Sequence, residues 1–256
     1  MAKYLLCLLL MSAPVFSATT AFALCDPAAV EGVYGFQLSG STAISGDFKP
    51  AVSLGRLVFD GAGKLRGYSS VNFAGYFLGN PVTGIYDVRD DCSVSWSLRD
   101  SSGAFQHFSG TVSNDGKKVQ FEQTDPGGVK HGTMIKSADA CDARDRQKIY
   151  TFNITGSTIP MQAGEVAGTL SLKGLAQVDD NGNVNLIPDR SSDEKAAGTL
   201  QVNGDCFAQL DLGLPLPLPG LSAMKFRAIL VDDGRQILGI QTDPGTAVTI
   251  TLLARD

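Results

Sequence analysis

Three carboxylate pairs and two histidines are the residues of this chain that could do acid–base chemistry. Asp90-Asp91, Asp179-Asp180 and Asp232-Asp233 offer the paired acids that glycoside hydrolysis uses, one protonated and one charged. Each pair falls at a strand end or in a hairpin turn, where aspartate accepts backbone N–H bonds, and the turn role is the simpler account. Asp179-Asp180-Asn181-Gly182-Asn183 is oxygen-rich like the start of a calcium loop, but it lacks the distal glutamate, so no metal is assigned. His107 and His131 fall on expected strands, facing solvent. No G-x-S-x-G, H-E-x-x-H, P-loop or dinucleotide fingerprint occurs. The sequence therefore assigns no catalytic, cofactor-binding or metal residue. An isomerase or cyclase, which needs few polar groups, is the enzyme class that could still fit.

Cysteine offers different chemistry. Lys3, the apolar run Leu5–Met11 and the small-residue site Ala21-Phe22-Ala23 read as a signal peptide over 1–23. Its removal takes Cys7 and leaves Cys25, Cys92, Cys141 and Cys206. Export to an oxidising compartment, periplasmic or extracellular, suits disulfides. No C-x-x-C spacing supports a metal site. The run Leu5–Met11 is too short to span a bilayer and no later segment is long enough, so a soluble mature protein is expected. The net charge of −5 argues against nucleic acid or anionic lipid as the main electrostatic partner.

What positions the cysteines is an internal repeat. Tyr34-Gly35-Phe36…Gly40-Ser41-Thr42 returns as Tyr150-Thr151-Phe152…Gly156-Ser157-Thr158. Gly84…Asp91-Cys92 returns as Gly198…Asp205-Cys206, and Gln123-Thr124-Asp125-Pro126-Gly127 as Gln241-Thr242-Asp243-Pro244-Gly245. The offset stays between 114 (198 − 84) and 118 (241 − 123) residues. Only Cys25–Cys92 with Cys141–Cys206 keeps each bond inside one copy. The expected domains are therefore 24–137 and 149–256, joined by a charged linker over 138–148 that includes the start of the second copy.

Each copy reads as about eight short strands. Tyr34, Phe36 and Leu38 share a face, as do Leu57 and Phe59. Val94, Trp96 and Leu98 alternate with serines, and Phe108, Gly110 and Val112 follow before the turn Asn114-Asp115-Gly116. In the second copy those two faces become Ala208, Leu210, Leu212 and Phe226, Ala228, Leu230. Eight strands in a meander can close and abolish their edges. The expected fold is all-β: two tandem antiparallel up-and-down eight-stranded barrels, with β-sandwiches as the alternative.

Gly32-Val33-Tyr34, Val82 to Tyr86 and Gln123-Thr124 give each copy a strand layout that resembles the calycins, the lipocalin and avidin group. Trp96 is the only tryptophan, so the tryptophan-lined pocket of avidins has no counterpart. The patterns Gly32–Phe36, Gly55–Gly63 and Gly84–Cys92 also resemble exported bacterial barrel repeat proteins of no established activity.

One segment breaks the repeat. Leu214, Leu216, Leu218 and Leu221 alternate with prolines where the first copy has only Ser101-Ser102-Gly103. An extended, polyproline-type hairpin tip is expected, either folded over its own barrel or serving as a contact for a partner. These readings point first to a non-enzymatic exported protein of the envelope or secretome with a structural or interaction role. The alternative is a binding module for a small apolar ligand. Neither names a cofactor, and the partner is unknown: an envelope protein or such a ligand.

Overall fold

The computed structural model describes residues 25–44, 47–161, 166–189, 196–218 and 221–255. The leader expected over 1–23 lies outside them. The alternation read from the sequence produces two closed antiparallel barrels. Barrel one contains β1 (Gly32–Ile44), β2 (Asp47–Phe59), β3 (Lys64–Phe73), β4 (Tyr76–Val88), β5 (Ser93–Asp100), β6 (Phe105–Val112), β7 (Lys118–Gln123) and β8 (Gly128–Lys136). Barrel two contains β9 (Ile149–Thr158), β10 (Thr169–Val178), β11 (Asn183–Pro188), β12 (Ala196–Val202), β13 (Phe207–Leu218), β14 (Leu221–Val231), β15 (Gln236–Gln241) and β16 (Thr246–Ala254). Each strand pairs with the next, and the first closes on the eighth, β1 on β8 and β9 on β16. The sandwich alternative is excluded, and the calycin-like layout holds in both barrels.

Closure needs a close approach of backbones. Gly40 and Gly156 stand at matching seam positions with φ of 154° and 152°. A Cβ on Gly40 would lie 2.0 Å from the Val129 carbonyl oxygen, and one on Gly156 2.2 Å from that of Ala247. Glycine is required at both for that reason.

Both expected disulfides form, Cys25–Cys92 and Cys141–Cys206. Each ties the segment before the first strand to the turn before the fifth strand of its barrel. The entering segments make short 3₁₀ turns, Pro27–Val30 and Ala143–Asp145, capped by Asp26 and Asp142. Val30 is fully buried in the core of barrel one, so this turn closes that end. We refer to the disulfide end as the base and to the opposite end as the hairpin end.

The barrels lie side by side and share an apolar interface. Val52, Leu54 and Ile135 on the outer wall of barrel one belong to the same buried cluster as Ile229, Val231, Leu238 and Ile240 of barrel two. Side chains also carry hydrogen bonds across it, among them those of Gln37, Asn72 and Ser137. Gln37 Nε2 donates to the carbonyls of Gly239 (2.8 Å) and Ile250 (3.0 Å). Asn72 Nδ2 donates to that of Gln241 (2.8 Å) and Ser137 Oγ to that of Leu230 (2.8 Å). The Arg227 guanidinium lies over the rings of Phe207 (4.3 Å) and Tyr68 (4.9 Å). The segment read as a linker is held too: Arg56 Nη2 donates to the Asp139 carbonyl at 2.7 Å, and Cys141 N to that of Gly204 at 3.1 Å.

Two outcomes are expected from this packing. Gly35 faces barrel two so closely that a Cβ would sit 2.5 Å from Val231 Cγ1. Gly35→Val should destabilise by about 1–3 kcal/mol through overpacking, read by urea unfolding, and a neutral result would mean that the walls do not meet. Loops of 67 and 65 residues are worth about 4 kcal/mol each in the chain-entropy model. Replacing Cys141 and Cys206 together with Ala should therefore lower stability by up to that amount, and non-reducing peptide mapping should recover Cys25 linked to Cys92.

Candidate functional site

Asp91 and Asp179, from the carboxylate pairs that could have been catalytic, are engaged in turns, as is Asp60, and Asp180 pairs with Lys148 at 3.1 Å. Asp60 Oδ1 accepts the N–H groups of Ala62 (2.8 Å) and Lys64 (2.9 Å). Asp179 Oδ1 does the same for Asn181 (2.9 Å) and Asn183 (2.8 Å). These bonds hold both carboxyls below their ordinary range, the Lys64 N–H leading for Asp60 and the Asn183 side chain for Asp179. The oxygen-rich loop at Asp179 is thus a turn. Asp91 bonds the Ser93 N–H at 2.9 Å, and Asp232 lies 3.9 Å from Arg235.

The twin Gln-Thr-Asp-Pro-Gly segments have one shared role. Asp125 Oδ2 accepts from the His107 N–H (2.8 Å) and Gln123 Nε2 (2.7 Å). Asp243 Oδ2 accepts from the Lys225 N–H (2.8 Å) and Gln241 Nε2 (2.9 Å). Each aspartate holds a backbone N–H of the strand paired with its own, toward the hairpin end. Burial opposes the charge on Asp125, but the bonds from Gln123 and His107 outweigh it and lower its pKa. His107 Nδ1 lies 2.7 Å from Asp125 Oδ1, and His131 lies 3.6 Å from Glu122 on the outer wall. Among the described residues, no three His, Cys, Asp or Glu side chains converge to hold a metal.

The shifted phenols are structural as well. Tyr34 Oη donates to the Gly116 carbonyl (2.5 Å) and Tyr150 Oη to that of Gly234 (3.0 Å). Each latches the first strand of its barrel to a hairpin at the base. Burial pushes both hydroxyls up to about 12.

Side chains fill the barrels between these ends. In barrel one Phe59 stacks edgewise between Tyr34 (5.6 Å) and Tyr86 (4.9 Å), and Trp96 meets Phe108 (5.2 Å) and Phe121 (5.0 Å). Glycines make room for the rings: a Cβ on Gly132 would lie 2.6 Å from Phe121 Cζ, and one on Gly55 2.3 Å from Phe36 Cε1. Barrel two is filled mostly by aliphatic side chains, with Ile154, Leu186, Leu210, Met224 and Ile250 buried around Tyr150, Phe152 and Phe226. The lumens differ toward the hairpin end. Register places Ser53, Ser69, Asn80 and Lys130 on the inner face of barrel one, and Leu172, Pro188 and Val248 on that of barrel two. Burial lowers the Lys130 pKa, opposed by Asp125.

Two concavities lie on the outer wall of barrel one. One, of about 660 Å³, is lined by Arg66, Thr83, Ile85, Arg99 and Phe105 among others. The other, of about 500 Å³, is lined mostly by Ser95, Ser109, Thr111, Glu122 and similar polar groups.

The hairpin end gathers most of the exposed apolar side chains. Of the ten large hydrophobic residues that stand exposed among the described residues, seven lie in or beside its connections: Phe48, Tyr76, Leu78, Phe105, Val129, Met161 and Val166, from 39% (Met161) to 87% (Val166) exposed. The two barrels present these connections together, because the Gly245 N–H donates to the Gly75 carbonyl at 3.0 Å. The Pro-Leu segment reaches the same end. Leu214, Leu216 and Leu218 continue β13, and Leu221 opens β14 opposite Leu218, with a register shift after Gly213. Their side chains lie outside the described residues, as do 219 and 220. The sequence reading singled out this one tip and missed the other apolar connections. Their signal was a lone Phe, Tyr or Val beside each turn, which is weak taken singly.

No protein-family model matches the chain, and no curated protein matches it. No helix among the described residues is long and apolar enough to cross a membrane.

The phenols give a pH test. Their folded pKa of about 12 lies above the ordinary value of about 10. The stability they contribute is therefore complete below pH ~10 and falls as pH rises from there through ~12. Ultraviolet titration should show two phenols ionising near the upper value as the protein unfolds. Tyr34→Phe with Tyr150→Phe should flatten that alkaline loss. Ionisation of every tyrosine near 10 in the folded protein would refute it.

Proposed function

We propose that this is a non-enzymatic, exported interaction protein of the envelope or secretome, with the paired barrels as a rigid stem and the hairpin end as its contact surface. The observation that carries this reading is the gathering of seven exposed apolar side chains at one end. Apolar exposure concentrated at one end marks a contact surface more readily than side chains scattered singly over the molecule. The disulfides and the likeness to exported bacterial barrel proteins fit an oxidising compartment. Asp91, Asp125, Asp179 and Asp243 are engaged in turns and strand contacts, which makes an enzyme the weaker reading. Aromatic filling of barrel one weighs against an apolar lumen ligand. A second reading rests on Lys130, whose half-buried amine on a polar inner face suits a small anionic guest.

Fractionation of the producing cells tests the proposal. The protein should be recovered with envelope or in a larger assembly. Phe48→Ser, Tyr76→Ser and Leu78→Ser together should release it while the near-ultraviolet signal of buried Trp96 stays unchanged. Control changes at the base, Asp91→Ser with Asp233→Ser, should not. Equal behaviour of the triple variant and the native protein would sink the reading.

A further inference from the structure

We infer that the partner of the hairpin end is a lipid bilayer surface, into which the tips of both barrels dip side by side. This rests on the hairpin end being the contact surface. Three observations favour lipid over a protein partner.

The first is the layout. The apolar side chains sit on separate connections: Phe48 beside the β1–β2 turn, Tyr76 and Leu78 beyond the β3–β4 turn, Phe105 after β5, and Val129 in β8. Register sets Tyr76 and Leu78 at the rim of the same inner face as Asn80 and Lys130, and Phe48, Phe105 and Val129 on the outer side of that rim. A rigid partner would need a matched socket for every tip, whereas a fluid interface accepts each tip independently. The second is residue type. Phe and Tyr stand at three of these tips, and aromatic rings settle at the boundary of headgroups and acyl chains.

The third is charge. At the hairpin end the described carboxylates Asp47, Asp100, Asp125, Asp189 and Asp243 stand against Lys49, Arg99, Lys130 and Lys225, which leaves one negative charge. The turn carboxylates at the base, among them Asp60, Asp91, Asp115, Asp180, Asp205 and Asp233, hold most of the excess that makes the chain −5. The nearly balanced end can meet a bilayer while the more acidic end points away from it. Such docking is driven by apolar insertion and not by steering, so an acidic chain can still bind.

Vesicle flotation is the test, with phosphatidylcholine vesicles and vesicles that also contain phosphatidylglycerol. The protein should float with both, with affinities within about threefold, and raising the salt from about 0.1 to about 0.5 M should change little. The Phe48→Ser, Tyr76→Ser, Leu78→Ser variant should bind at least tenfold more weakly. A Leu78→Trp variant should show a blue-shifted emission on vesicles, against a constant background from buried Trp96. Failure of the native protein to float overturns the inference. So does flotation that needs phosphatidylglycerol and disappears in salt, or flotation that survives the triple substitution. If instead the native protein self-associates in sedimentation and the triple variant does not, a second copy covers this end. The contact-surface reading then stands and the bilayer inference falls. If the triple variant also keeps its place in cell fractionation, both fall.

Discussion

An eight-stranded sheet that closes on itself must fill a lumen of fixed width with the side chains of alternate residues. This constraint shapes both halves of the molecule. Barrel one meets it with large rings set against glycines, Phe121 over Gly132 and Phe36 over Gly55. Barrel two meets it mostly with aliphatic side chains of more even size, Ile154, Leu186, Leu210 and Ile250. The seam glycines Gly40 and Gly156 allow the last strand to reach the first, and Tyr34 and Tyr150 fasten that first strand to a hairpin at the base. With the lumens occupied in this way, contacts fall to the outer walls and the ends.

The walls are used first by the molecule itself. Where β2 of barrel one faces β14 and β15 of barrel two, the alternation that normally leaves one face wet has been replaced by apolar residues on both faces. Every residue of β15 after Gln236 is buried. Gln37, Asn72 and Ser137 donate across this wall to carbonyls, which a purely apolar contact would leave unpaired at a cost. Two closed barrels therefore become one body with two ends, and the ends differ.

The fold was legible because its determinants are local. Period-two faces such as Val94, Trp96 and Leu98 point inward as their spacing requires, and so do Ala208, Leu210 and Leu212. The disulfides followed from keeping each bond within one copy. The joining wall was not read, although its trace is present: Ile237, Leu238 and Ile240 break the alternation that Val119 and Phe121 keep at the matching positions of β7. A run that is apolar on both faces does not reveal what covers its outer side. The contact end was legible only at the Pro-Leu tip, where composition departs from the other copy. The remaining tips contribute one or two side chains each, and only closure of both barrels brings them together.

The differences between the barrels then acquire a direction. Barrel two offers barrel one an apolar wall, and its inner face stays apolar toward the hairpin end at Leu172 and Val248. Barrel one keeps serine, asparagine and lysine at that level of its lumen and carries most of the exposed apolar tips around it. Turn chemistry explains why the opposite end is acidic. Tight turns there draw on aspartate to bond their own N–H groups, as Asp60, Asp91 and Asp179 do. The hairpin end uses fewer such turns and holds Asp125 and Asp243 against strand N–H groups. A polarity along the barrel axis, acidic at the base and apolar at the hairpins, thus follows from which connections close by Asx bonding and which do not, before any partner is considered.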